Sequence, residues 1–142
     1  MKKTLTEEEA KVKALAQFLG HDAEEAKKMI EDGDYLVLTD AEAEEKAKEY
    51  IKDSLWAFNA SFILEECGLD FSGEESLRHM QEKSCEGAND FILSLVEKTC
   101  GLEQFVEDAI SADGRGHFMS SYDGEENEVE ADGQTFYIYR TN

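Results

Sequence analysis

Six residues able to take part in acyl or proton transfer fall within one short stretch of this chain: Asp113, Arg115, His117, Ser120, Ser121 and Asp123. A Ser-His-Asp set can be chosen from them, with the histidine as general base and an aspartate orienting its ring. That chemistry needs a three-way geometry that closeness in sequence does not supply. On a strand, His117 and Ser121 would share a face four residues apart, beyond a direct hydrogen bond. The chain holds no GxSxG elbow, HExxH, Walker loop, GxGxxG or zinc-ligand spacing. Asp113–Glu125 is acidic and loop-like, but lacks the alternating acids and central glycine of an EF-hand. The expectation is a non-enzymatic protein with no cofactor, no metal and no catalytic residues. A small enzyme centred on His117 is the lesser alternative.

A second group suggests binding. Glu126, Glu128 and Glu130 alternate along the chain, and Tyr137 and Tyr139 follow. On a strand the three carboxylates would stand in a file about 7 Å apart. Tyrosine is enriched at protein interfaces. Glu126, Glu128, Glu130, Tyr137, Tyr139, His117 and Arg115 are therefore the candidate partner-binding residues. The competing reading is a solvated face whose charges block edge-to-edge association. Overall charge agrees with binding: 34 acids against 14 Lys and Arg give −20, divided as −6 over residues 1–53 and −14 over 54–142. Such a chain attracts a basic protein surface and repels nucleic acid and anionic membranes.

The elements that must position these residues change character along the chain. Residues 4–111 follow a helical period, whereas Asp113–Asn142 alternates and carries two Asp-Gly turns, Asp123-Gly124 and Asp132-Gly133. Asp-Gly between alternating runs is a hairpin signal, because both central residues of a type I′ turn need positive φ. The two turns predict a three-stranded meander over 116–140. Its rows are Phe118, Val129, Phe136, then Ser120, Asn127, Ile138, then Tyr122, Glu125, Arg140. Phe118, Val129, Phe136 and Ile138 would face inward, and Glu125 and Arg140 would pair at the rim. The glutamate file, His117, Tyr137 and Tyr139 would face outward. Asp113–Gly116 reads as the turn from helix to sheet, with Arg115 anchoring it on an acid.

Upstream, Thr6 and Glu9 form a capping box, and Val12, Leu15, Phe18 and Leu19 follow at helical spacing up to Gly20. Asp22 caps a second helix that stops at Gly33. Tyr35–Leu38 reads as a short strand or a buried connector, with the connector favoured. Thr39 or Asp40 opens a helix with Ala43, Ala47, Tyr50, Ile51, Leu55 and Phe58 on one stripe and Glu44 paired with Lys48. Trp56 reads as core and His79 as a surface histidine. Asn59 caps the next helix, which Gly68 closes, and Ser72 caps the one after. Residues 74–99 form one helix, or two joined near Cys85–Gly87; Phe91 lies on its apolar stripe. Leu102 begins the last helix. The three cysteines, Cys67, Cys85 and Cys100, read as reduced, buried thiols.

The expected fold is α+β: a mostly helical N-terminal three-quarters packed on a C-terminal three-stranded antiparallel β-meander, in a single domain of residues 1–142. No apolar run is long enough to span a membrane. Met1-Lys2-Lys3 is followed by Glu7, Glu8 and Glu9 rather than by an apolar signal region, so the expected location is the cytoplasm.

The runs GRGHFMSSYDGEENEV and FYIYRTN, with SLWAFNASFI at residues 54–63, resemble segments of small acidic proteins encoded by bacteriophages and prophages. That resemblance implies a mobile-element origin and a host-cell cytoplasm location. It carries over no catalytic residue. It favours a protein that binds a host or defence component, including one that mimics nucleic acid to inhibit a nucleic-acid-binding protein. The alternative is a structural or housekeeping phage protein, acidic only for solubility, that forms a homo-oligomer through its C-terminal strand.

Overall fold

A computed structural model describes residues 5–142, so Met1, Lys2 and Lys3 lie outside the described residues. The fold is α+β. The chain divides into two compact units. One is formed by the chain up to Ala47 together with Asp113–Asn142, and the other is Lys48–Ala112. No proline or low-complexity linker marks the division in the sequence.

The first unit opens with α1 (Glu7–Leu19) and α2 (Ala23–Glu31). Thr6 and Glu9 close the capping box reciprocally, Gly20 ends α1 in the left-handed region, and the Asp22 carboxylate accepts from the Glu25 amide. Tyr35–Leu38 is a strand, β1, not a connector. It pairs antiparallel with β3 (Gln134–Arg140), which pairs on its other side with β2 (Asn127–Ala131). The sheet order is β1-β3-β2.

The expected meander is therefore corrected. Its second hairpin holds: Ala131 opposes Gln134, Val129 opposes Phe136, and Asn127 opposes Ile138 around the Asp132-Gly133 turn. There Asp132 and Gly133 have φ of 53° and 73°, as a type I′ turn requires. Its first strand does not form. Arg115–Met119 is a short helix, α8, and Asp123-Gly124 joins α8 to β2 instead of closing a hairpin. The rows that placed Phe118, Ser120 and Tyr122 opposite β2 fall with it. β3 thus pairs with β1 over Tyr137–Arg140 and with β2 over Gln134–Ile138. Arg140 does not pair with Glu125; its guanidinium lies 3.6 Å from the centroid of the Tyr122 ring.

One sheet face carries Tyr35, Val37, Ala131, Phe136 and Ile138, which form a core with Ala10, Ala14, Leu15 and Ala26 of α1 and α2. The small residues of α1 let its axis approach the sheet closely. Phe136 and Ile138 are fully buried and Val129 packs beside them, as their alternation predicts. Lys11 is buried on the same helix, and its ammonium meets Glu42 at 2.9 Å and Glu7 at 3.4 Å.

The second unit holds α4 (Ala60–Glu66), α5 (Glu74–Ser84), α6 (Asn89–Lys98) and most of α7 (Leu102–Asp113). The helix α3 (Asp40–Asp53) begins in the first unit and ends in the second. Ile63, Leu64, Ile92, Val96, Phe105 and Ala109 are buried, and Phe58, Phe62 and Phe105 pack ring against ring with centroids 5.2–5.9 Å apart. Residues 74–99 are two helices, broken at Cys85, whose φ of 48° a helix interior cannot accept. Asn89 ties the unit together: its amide donates to the Lys52 carbonyl and its oxygen accepts from the Trp56 amide.

Several helical expectations are revised here. Ser72 does not cap α5, which starts after Gly73 with no side-chain cap; Asp70 accepts from the Ser72 amide in the short turn Phe71–Gly73 before it. Tyr50 and Phe91 are exposed rather than core. Lys48 meets Glu103 instead of Glu44. Cys67 is buried but Cys85 is exposed.

Glu66 is the titratable group of this unit most displaced from its ordinary range. Burial, then the neighbouring carboxyls of Asp108 and Glu65, push it up to about 7. A carboxyl with a raised folded pKa binds more protons folded than unfolded, so its contribution is complete below roughly 4.3 and is lost as pH rises through about 7. Urea unfolding followed through Trp56 is expected to show lower stability at about pH 8 than at about pH 5. In Glu66→Gln that difference is expected to shrink; an unchanged difference would assign it to other groups.

Candidate acidic protein-binding surface

The surface begins at the turn where α7 ends. Gly114, with φ of 84°, lets the chain reverse, and α8 starts at Arg115. Gly116 then lies against the backbone of residues 124–126. A Cβ there would stand 2.6 Å from the Gly124 carbonyl oxygen and 2.8 Å from the Glu126 nitrogen. This approach sets the Arg115 side chain, 8% exposed, over the sheet face opposite α1.

Three carboxylates meet that guanidinium. Nε donates to Glu126 at 2.5 Å, and Nη1 donates to Asp40 and Glu44, each at 2.9 Å. Asp40 and Glu44 are one turn apart on α3, so they share a helix face. Two like charges in that arrangement repel unless a cation joins them, and Arg115 is that cation. Its guanidinium also lies 4.6 Å from the Tyr137 ring centroid. Tyr139 is fully buried beneath, and its phenol donates to Glu126. Burial works against the charge on Arg115, but its hydrogen bonds to Glu126 and Asp40 outweigh it and hold the group protonated. Burial and then the bond to Glu126 push the Tyr139 phenol above its ordinary range.

Glu128 completes the group. Its carboxylate accepts from the Tyr137 phenol at 3.4 Å. Burial, then the charges of Glu128 and Asp40, push Tyr137 up, so both acids act on the same ring. Asp40, Glu44, Glu126 and Glu128 thus surround one guanidinium and one tyrosine, a local excess of three negative charges. The Asp40 and Glu44 side chains remain 69% and 58% exposed, so they face solvent while holding Arg115.

The candidate residues divide accordingly. Arg115, Glu126, Glu128, Tyr137 and Tyr139 are brought together. Tyr139 is buried, which corrects its expected place on the outer face, whereas Arg115 is buried and anchored on acids, as its position in the turn predicts. Glu126 precedes β2 and is tied to Arg115, so the file of three glutamates is reduced to Glu128 and Glu130, both exposed on β2. His117 is exposed, its ring edge-on to Phe118 with centroids 4.9 Å apart. Ser120 is buried, and its hydroxyl lies 2.5 Å from the Arg140 carbonyl and 2.8 Å from Asp123. Ser121 bonds the Thr141 carbonyl. The hydroxyls of this stretch therefore close the end of β3, and no serine–histidine hydrogen bond forms among the described residues.

Asp40 and Glu44 were not legible as part of this surface. Their spacing on one helix face was the available signal, but Lys48 offered Glu44 a local partner and Asp40 a capping role. Among the described residues, no group of three or more His, Cys, Asp or Glu side chains could hold a metal ion. No helix among them is long and apolar enough to cross a membrane. No protein-family model, curated protein or solved structure matches this chain.

Proposed function

We propose that this protein is a non-enzymatic binding module for a basic protein surface, acting as a mimic of nucleic-acid charge that occupies a host or defence protein. The observation that carries this reading is the ring of Asp40, Glu44, Glu126 and Glu128 around Arg115 and Tyr137. It places unbalanced negative charge on a sheet face held rigid by buried Arg115 and Tyr139. A rigid site loses little conformational freedom on binding. The charge is also general: the first unit carries 20 acids and 9 Lys or Arg, the second 14 and 5. Several of those cations are already paired, including Lys11, Lys48, Arg78 and Arg115. The resemblance to phage proteins points to a host-cell cytoplasm as the place of action.

The test is capture of partners from a bacterial lysate on immobilised protein. Binding is expected at low salt, with release by high salt or by duplex DNA. The double substitution Glu128→Lys, Glu130→Lys changes exposed residues that make no ion pair with Arg115, although it removes the Tyr137–Glu128 bond. It is expected to weaken capture at least about tenfold, through loss of long-range attraction and local complementarity. An unchanged set of captured proteins in that variant, or capture insensitive to salt, would remove the reading.

A further inference from the structure

The second unit contains a cleft of about 450 Å³ lined by Trp56, Phe58, Glu74, Arg78, Gln81 and Glu82, among others. That volume is within the range of ligand sites. Its floor has an unusual feature. Gln81 is 8% exposed, and its Nε2 donates to the carbonyls of Trp56 at 3.0 Å and Phe58 at 2.7 Å. Those bonds fix the amide orientation and leave Oε1 with no donor among the described residues. Yet no side-chain oxygen or nitrogen among them is both enclosed and unpaired. The Gln81 Oε1 therefore keeps some exposed surface, and Gln81 lines the cleft, so this oxygen is an acceptor held in place by its own amide at the cleft wall.

The charges on the walls define what would bind there. Arg78 is already paired with Glu74 at 2.8 Å, so these two neutralise each other. Glu82 is exposed on the same helix and adds one negative charge. Trp56 is half-buried and lines the cleft, and an indole is the strongest side-chain partner for a cation. A fixed acceptor, a carboxylate and an indole together suit a planar cation with several donors. A guanidinium satisfies all three, since it stacks on an aromatic face and donates in a fork. An ammonium satisfies the charge but not the stacking. An anion would meet the negative potential of a unit with 14 acids and 5 Lys or Arg.

We infer that this cleft receives an arginine side chain of the basic partner, which deepens the proposed function and rests on it for the identity of the ligand's carrier. Trp56 is the single tryptophan of the chain, so its emission reports the site directly. The probe is blocked arginine, N-acetylarginine methylamide, titrated against the full chain. The neutral isostere N-acetylcitrulline methylamide and the correspondingly blocked lysine serve as comparisons. A saturable change in Trp56 emission is expected with the arginine compound, weaker binding with lysine and none with citrulline. Glu82→Gln removes an exposed charge without disturbing Gln81, and it is expected to weaken arginine binding by about fivefold.

Equal binding of citrulline, equal binding of lysine, no saturable signal with arginine, or no effect of Glu82→Gln would each overturn the inference. The lysate capture separates it from the broader reading. If blocked arginine binds while no salt-sensitive partner is captured, the protein-binding function fails and the guanidinium site stands. If capture survives in Glu82→Gln and blocked arginine does not bind, only the arginine site is lost.

Discussion

Arg115→Met is expected to lower the stability of the first unit by about 2–3 kcal/mol. Removing one partner of a buried ion pair commonly costs more, because the charge left behind stays away from water. Here the acids left behind are unequally placed. Asp40 and Glu44 are more than half exposed and can turn to solvent, whereas Glu126 is 31% exposed and stays bound to Tyr139. The loss is therefore concentrated in Glu126, in the cation–π contact with Tyr137, and in the packing above Tyr139. Arg115→Lys keeps the charge but cannot reach three carboxylates with a planar fork, so about half the loss is expected. Trp56 lies in the second unit, so the measurement is amide exchange at Phe136 and Ile138 of β3, both fully buried. Protection in Arg115→Met equal to that of the parent would show that the cluster does not hold the sheet.

Gly116→Ala is expected to cost a similar amount, about 2–3 kcal/mol, by a different mechanism. The added methyl would stand 2.6 Å from the Gly124 oxygen and 2.7 Å from the Glu125 carbonyl carbon. Both are backbone atoms, so relief requires α8 to move off the segment leading into β2. That movement would carry Arg115 away from Glu126. Gly124→Ala is the control: its Cβ meets nothing within 4 Å and its φ is 70°, so only left-handed strain of about 1 kcal/mol is expected. Amide exchange at β3 again measures both. An alanine at 116 tolerated better than one at 124 would contradict the close approach. Because Arg115 and Gly116 act on one contact, Arg115→Met with Gly116→Ala is expected to cost less than the two single losses combined.

Much of the fold was written locally. Thr6, Glu9 and Gly20 bound α1 because caps and left-handed stops act within one helical turn. Asp132-Gly133 set the register of β2 against β3 by the same kind of local chemistry, and Val129, Phe136 and Ile138 then took the core side. The break at Cys85–Gly87 was legible as an alternative. The strand at Tyr35–Leu38 was not, since a four-residue apolar run has no period to distinguish strand from connector. Its partner Tyr137–Arg140 lies a hundred residues away.

The candidate surface divides in the same manner. Glu128 and Glu130 stand where alternation puts them, on β2. Residues Arg115–Met119, read from sequence as a turn and the start of a strand, form a helix that packs against 124–126. Amino-acid types and spacing alone determined that this chain is acidic, that it is α+β, where most helices start and stop, and how its last hairpin pairs. Those features depend on charge count and on backbone preferences spanning a few residues. Only tertiary structure decided that β1 completes the sheet, that Tyr139 is buried, and that Asp40, Glu44 and Glu126 converge on Arg115. The Arg115 contacts join positions 11 to 75 residues apart and the β1–β3 pairing joins Tyr35 to Arg140, and no local preference encodes a contact made at such separations.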